Sequence, residues 1–389
     1  VSRFLTFIAV AIAILAGIHC YIWMRLIRDP RLPAPWGGIA TAGLIALAVS
    51  LPVALILGRS YPQLRRLLAW PAFIWMGLMF LLFCILVSTD AARGIASIGR
   101  RLIAAGAVDE QRRTFFARST AVGVSLLAAC LGAISVRAAL GSVRVRPVRV
   151  RLAKLPRAHD GLRIVQLTDI HVGPTIGRAF IEEVVRQTNA LAPDIVAITG
   201  DLVDGSVSDL RDAIAPLANL RAGHGVFFVT GNHEYFSDAT GWMNELGGLG
   251  IRVLRNERVT IGQGGDAFDL AGIDDRSAGR FGGLSPEAAV ARALAGRDLA
   301  RELVLLAHQP RSLLDAASFG VGLQLSGHTH GGQVWPFGFL VRLNQPFVEG
   351  LHRFADSQIY VSRGTGYWGP PMRLGAPAEI THITLESGA

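Results

Sequence analysis

Cysteine is scarce and poorly placed for any framework. The 389 residues include three, Cys20, Cys84 and Cys130, each inside an apolar run. That argues against a disulfide scaffold and against a thiolate metal site. Charge is scarce as well. Asp, Glu, Lys and Arg make up 17% of the chain, against 51% hydrophobic residues. Soluble domains carry about 25% charged residues, so membrane spans are sought first. The net charge of +9 is uneven. Residues 1–141 hold 14 Arg against 4 acids, whereas residues 142–389 are net −1. The C-terminal part thus lacks the broad basic face of a nucleic-acid binder, and no nucleic-acid partner is expected. Internal repeats and low-complexity tracts are also missing.

Four apolar stretches occupy about residues 4–24, 37–58, 70–88 and 119–136. Each approaches the roughly 20 residues that a bilayer span needs, and Arg flanks them. A signal peptide does not explain the first, because no small-residue cleavage site ends it and three similar runs follow. A soluble helical bundle would show polar faces that these runs lack. Pro52 inside the second run reads as a kink. Trp23, Trp36, Trp70 and Trp75 read as interface anchors, and His19 as an interfacial histidine. These features predict a transmembrane segment over 1–141 and a second domain over 142–389, with the lipid bilayer as a partner.

Beyond Gly141 the pattern changes. Residues 143–152 alternate Val with Arg around Pro147, as an edge strand does. Arg144, Arg146, Arg149, Arg151 and Lys154 there suit either solvent or anionic headgroups. Strands are predicted over 162–168, 194–199, 225–230, 268–272, 303–307, 323–326, 359–362 and 380–385. Helices are predicted over 177–191, 209–220, 238–249 and 286–295. Such alternation gives a layered α/β domain.

Five short motifs follow predicted strands, where α/β folds place their sites. They are Asp169-Ile-His171, Gly200-Asp201-Leu-Val-Asp204, Gly231-Asn232-His233-Glu234, His308 in Leu-Ala-His-Gln-Pro, and Gly327-His328-Thr-His330. On an extended segment, residues two apart such as Asp169 and His171 point the same way. Carboxylate beside imidazole suits Zn, Mn or Fe better than Ca or Mg. The preceding glycines let each strand turn sharply. These donors with Asn232 suffice for two cations sharing a carboxylate, set about 3.5–4 Å apart as in known two-metal sites. His159, His224, His352 and His382 read as surface or packing residues.

The ordered set resembles the calcineurin-like metallophosphoesterase superfamily. The text around it, Gln166-Leu-Thr-Asp-Ile-His-Val-Gly and Gly327-His-Thr-His-Gly-Gly-Gln, is similar to the bacterial YkuE-like phosphohydrolase branch. The resemblance covers roughly residues 143–387. It implies a four-layer α/β sandwich, here preceded by four transmembrane helices. It also implies a metal-dependent phosphoric ester hydrolase with two divalent transition-metal ions, Mn, Fe or Zn. One ion would take Asp169, His171, Asp201 and His330; the other would take Asp201, Asn232, His308 and His328. The nucleophile would be a metal-bound hydroxide. His233 would protonate the leaving oxygen, with Asp204 orienting it. Gly205 stands where relatives with a G-D-x-x-D-R-G motif carry a phosphate-binding Arg. Arg363 and Arg373 are candidate replacements, or else surface arginines.

The function expected is that of a membrane-anchored phosphoesterase acting on a phosphoester, with a lipid-linked one fitting the anchor. Two alternatives stay open: a phosphodiesterase or nuclease with a soluble substrate, and a membrane scaffold or sensor whose phosphoesterase domain is inactive. Ten Arg and Lys flank the spans on one face and nine on the other, so the positive-inside rule does not decide sidedness. The basic cluster after the fourth span favours a cytoplasmic domain.

Overall fold

The structure, a computed structural model, describes residues 2–101 and 110–388. The chain divides into two compact units, Val1–Arg137 with Gly369–Met372 and Ala138–Trp368 with Arg373–Ala389.

Among the described residues the first unit is built on four α-helices: α1 (Ser2–Trp23), α2 (Trp36–Ser60), α3 (Pro62–Arg101) and α4 (Glu110–Leu140). All four contain a stretch long and apolar enough to cross a membrane. Apolar side chains around these helices are widely exposed, as expected where lipid is the solvent. Pro52 sits inside α2 without ending it, and Pro71 does the same in α3. The third span is longer than its apolar run. Its candidate window is Leu64–Ala96, and α3 continues to Arg101. Much of the chain between the third and fourth apolar stretches is therefore helical, and residues 102–109 of it lie outside the described residues.

That extension corrects two expectations. Trp75 lies within the span and is 8% exposed, not an interface anchor. Its indole Nε1 donates to His19 Nε2 at 3.0 Å, and His19 is itself buried, so His19 is a packed partner rather than an interfacial histidine. Asp90 also falls inside the window, where Arg25 pairs with it at 2.8 Å and Tyr21 donates to it at 2.5 Å. An ionised side chain there needs such partners.

The second unit holds two six-stranded sheets. The first is assembled from β1 (Arg144–Leu152), β2 (Arg163–Leu167), β3 (Ile195–Thr199), β4 (Val226–Val229), β5 (Arg252–Val253) and β12 (Glu379–Ser387), in the order β1-β12-β2-β3-β4-β5. The second contains β6 (Glu257–Ile261), β7 (Phe268–Gly272), β8 (Leu303–Leu306), β9 (Leu323–Ser326), β10 (Gly350–Phe354) and β11 (Ser357–Val361), in the order β10-β11-β9-β8-β7-β6. Within them β2, β3 and β4 run parallel, as do β7, β8 and β9.

The period of two along each strand builds the layers. Ile164, Ile195, Ala197, Phe227 and Val229 of the first sheet share one buried cluster with Leu270, Val304, Leu306, Leu323 and Leu325 of the second. Their strand neighbours point the other way. Val165, Val196, Ile198 and Phe228 pack beneath α5 (Arg178–Ala190), α6 (Val207–Ile214) and α8 (Ala239–Gly248). Leu303 and Leu305 pack beneath α9 (Pro286–Leu294) and α10 (Ser312–Ala316). The result is a four-layer α/β sandwich. Because both faces of each central strand are covered, these strands read as continuous apolar runs.

The helix α5 shows how the outer layers attach. It buries Ile181, Val184, Val185 and Thr188, one face at i, i+3, i+4 and i+7 spacing. Strand β1 is at a sheet edge, where Pro147 can lack its donor. Three of its flanking cations have protein partners: Arg146 with Glu379, Arg149 with Glu386, and Lys154 with the Leu299 carbonyl.

Candidate metal centre

Five strand ends deliver the site. β2 stops before Asp169 and His171, β3 before Asp201 and Asp204, β8 before His308, and β9 before His328 and His330. β4 leads into α7 (Asn232–Ser237), which opens with Asn232 and His233. Four of these residues turn left-handed immediately: Asp169 (φ 52°), His171 (φ 56°), His328 (φ 71°) and His330 (φ 50°). Asp201 does so too, at φ 51°. The expectation that an extended segment aligns Asp169 with His171 is thus corrected. Paired left-handed residues aim these side chains. Non-glycine residues there cost about 1–3 kcal/mol each and cluster at functional sites.

Glycine makes the approach possible. Gly200 sits at φ 86°, and a Cβ on it would press on Gly231 and His308. A Cβ on Gly231 would overlap the Asp201 carboxylate, and one on Gly327 the Asp169 carboxylate.

The side chains converge in three overlapping groups, each with ligand atoms within 4.8 Å of one another: Asp169, His171 and His330; His171, Asp201 and His233; and Asp201, His308 and His328. Asp201 Oδ2 lies 3.1 Å from His308 Nε2 and 3.9 Å from His171 Nε2. It is the carboxylate oxygen common to both sides. All nine residues singled out in the sequence are brought to this one region. Arg363 and Arg373 are not free to clamp a phosphate. Arg363 is paired with Glu349. Arg373 is 1% exposed, so it is no surface arginine; it donates to the carbonyls of Gly364, Gly366 and Ala376, and Nη2 lies 3.3 Å from His330 Nδ1.

The donor set fits divalent cations. Asn232 Oδ1 is buried with no hydrogen-bond partner, a state that ordinarily costs about 1–3 kcal/mol. His171 Nε2 faces His330 Nε2 at 3.1 Å, and His328 Nδ1 faces His308 Nε2 at 3.2 Å. Two imidazole nitrogens at that range need a shared proton or a shared cation between them. Burial and the neighbouring His308 charge push His328 down to about 3. Burial and the His171 charge likewise hold His330 well below its ordinary value. Both are therefore neutral, the form that ligates.

Carboxylates dominate the remaining electrostatics. Burial pushes the Asp169 carboxyl up. Burial opposes ionisation of Asp201 as well, yet the His308 charge and hydrogen bond hold its carboxyl well below the usual range. In return, against its own burial, His308 is held well above the ordinary histidine value by Asp201.

Asp204 serves two histidines. Its Oδ1 lies 3.0 Å from His171 Nδ1 and 2.6 Å from His233 Nδ1. Its expected partner was His233 alone. Burial opposes a charge on His233, but the Asp204 hydrogen bond and the Asp201 charge raise it to about 9. The His233 backbone N–H donates to Asp201 Oδ1 at 2.9 Å, while its ring Nε2 is 4.0 Å from Asp201 Oδ2. With 17% of its side chain exposed, it is more open than His171 or His308.

Sequence reasoning gave Glu234 no role, although its motif was plain. Glu234 is fully buried and accepts from three backbone N–H groups: Gly231 at 2.6 Å, Leu202 at 2.7 Å and Asp201 at 3.0 Å. It ties the turns after β3 and β4 together. Each buried N–H left unmet costs about 1–3 kcal/mol. Glu234→Ala is expected to cost about 3 kcal/mol or more, lowering the thermal midpoint by roughly 6–12 °C. An unchanged midpoint in calorimetry of the purified chain would refute that role. Asp275 and Gln309 were missed as well. Gln309 Nε2 donates to both Asp275 oxygens at 3.0–3.1 Å, bracing the segment after His308. His159, His224, His352 and His382 fall outside all three ligand groups.

The calcineurin-like phosphoesterase family matches residues 162–332. A "transmembrane protein with metallophosphoesterase domain" of Bos taurus is 36% identical over 387 residues, covering 94% of this chain and 86% of the relative. An "uncharacterized metallophosphoesterase" of Aquifex aeolicus (strain VF5) is 35% identical, over 63% of this chain and 92% of its own length. The metallophosphoesterase YkuE of Bacillus subtilis (strain 168) is 31% identical, over 61% of this chain and 84% of its own length.

Proposed function

The chain belongs to the calcineurin-like phosphoesterase family, and from that premise we propose that it is a membrane-anchored phosphoesterase with a two-metal centre. It is a metal-dependent phosphoester hydrolase and a membrane protein. In our reading Asp169, His171, Asp201 and His330 hold one cation, and Asp201, Asn232, His308 and His328 hold the other. The observation that carries this reading is the position of Asp201 Oδ2 between the two histidine groups. Nitrogen and carboxylate donors in this mixture suit Mn, Fe or Zn. Bound cations supply Lewis-acid polarisation of the phosphoryl group and activation of the attacking water.

The chain's own residues do the rest. Asp204, fixed on His171, holds the His233 ring through Nδ1, which leaves Nε2 to face the substrate. His233 delivers the proton to the departing oxygen. Asp201 Oδ1 holds the His233 backbone, so acid and bridging ligand keep one register. We further propose a cytoplasmic domain, a reading supported by the basic strand β1 that follows α4.

The test is a screen of the full chain, purified in detergent, against phosphomonoesters, diesters and phospholipids with Mn, Fe or Zn added. Hydrolysis that chelation abolishes and added metal restores is expected. No hydrolysis of any ester with any of the three metals would overturn the reading.

A further inference from the structure

Beside the candidate metal centre the second unit carries an exposed apolar rim. Residues 335–343 include the short helix α11 (Gly338–Val341). Trp335, Phe337, Phe339, Leu340 and Leu343 are 44–83% exposed there. Soluble proteins rarely leave such clusters uncovered unless something binds them. The segment is tied to the ligand turn. A Cβ on Gly332, two residues past His330, would strike the backbone of Gly338, so α11 abuts that turn. The Trp335 N–H is held by the Leu374 carbonyl at 2.9 Å.

A second flank continues the rim to His233. The Gln333 side chain clasps the Trp368 backbone through two 2.9 Å hydrogen bonds. The Trp368 ring lies 5.7 Å from the His233 ring, and Phe236 lies 5.6 Å from it on another side. Both aromatic residues are more than half exposed. A leaving group protonated by His233 would therefore depart beside these two aromatic rings. Polar capture by the two nearby arginines is poorly provided for, because Arg363 pairs with Glu349 and Arg373 donates to backbone carbonyls.

Composition points to lipid as the occupant. Residues 334–348 contain no carboxylate and one cation, the exposed Arg342. Trp, Phe and Leu with Arg and no acid is the chemistry of a segment lying in a membrane interface. The same chain carries four helices apolar enough to span a bilayer, and only residues 141–143 separate α4 from β1. We infer that residues 335–343 seat in the interfacial layer of the bilayer, and that the substrate is a phosphoester carried on acyl chains at that surface. The inference deepens the phosphoesterase reading of the site and rests on it.

The test uses the full chain in nanodiscs of phosphatidylcholine and phosphatidylglycerol, with Cys20, Cys84 and Cys130 replaced by Ser. A nitroxide is placed on Leu340→Cys and, separately, on Leu343→Cys. Relaxation by oxygen with protection from a water-soluble nickel chelate is expected at both. Free access of the chelate, or shielding from both relaxants as a protein partner would give, overturns the insertion. In the second arm Trp335→Ser, Phe339→Ser and Leu343→Ser are combined. The variant should lose at least tenfold on a long-chain phosphoester in the disc while holding a soluble nitrophenyl ester within twofold. Equal loss on both esters overturns the substrate class. Wild-type chain inert toward both would instead sink the phosphoesterase reading, while the nitroxides still report insertion.

Discussion

Asp201→Asn is expected to abolish hydrolysis of every phosphoester while leaving the fold intact. The substitution keeps the shape of the side chain, and an amide oxygen can still accept from the His233 N–H, which meets Asp201 Oδ1 at 2.9 Å. What disappears is the charge shared by the two histidine groups, at 3.1 Å from His308 Nε2 and 3.9 Å from His171 Nε2. Asp201 is buried, and burial alone would favour its neutral form, yet the His308 charge and hydrogen bond keep it ionised. An amide offers neither that charge nor a second acceptor. Metal stabilisation of the transition state is worth several kcal/mol, and each 1.36 kcal/mol is tenfold in rate. The rate should fall by about 10³-fold or more on monoesters and diesters alike. Bound metal should fall with it. Retained metal together with a loss smaller than tenfold would exclude Asp201 as the shared ligand.

His233→Asn should behave differently, keeping the metal and slowing hydrolysis according to the leaving group. A general acid contributes typically 10²–10⁴-fold. An alkyl oxygen is a poor leaving group and needs the proton, so alkyl phosphoesters should slow by about that much. Nitrophenolate departs as a stable anion, so nitrophenyl esters should slow by about tenfold or less. The competing role is concrete, because His233 groups with His171 and Asp201 closely enough to be a ligand. A ligand would carry metal away when replaced, and both esters would slow equally. The 2.6 Å approach of His233 Nδ1 to Asp204 and the greater exposure of its ring favour the acid. Metal content and both rates, measured on the one variant, separate the two.

The candidate ligands were legible in the sequence because each sits two to four residues past a strand, and the strands are unmistakable apolar runs. Asp169, Asp201, Asn232, His308 and His328 needed only that local signal. The bracing around them was not legible, because its partners are remote in sequence. Glu234 holds the amides of Asp201 and Leu202 more than thirty residues away, and Arg373 holds carbonyls around Gly364 while touching His330. Strands β5, β6 and β10 were missed since they are sheet edges with short or mixed, half-exposed sequences. Backbone handedness at Asp169 and His171 also escaped, since nothing in their side chains announces a positive φ. In the first unit, Asp90 lies two residues past the 70–88 run, yet paired with Arg25 and Tyr21 it falls within the longer candidate window.

Elemental analysis of the purified full chain tests the central claim most directly. The account predicts two divalent transition-metal ions per wild-type chain, with both sites weakened in Asp201→Asn. A wild-type stoichiometry that never exceeds one, whichever of Mn, Fe or Zn is supplied, would contradict it.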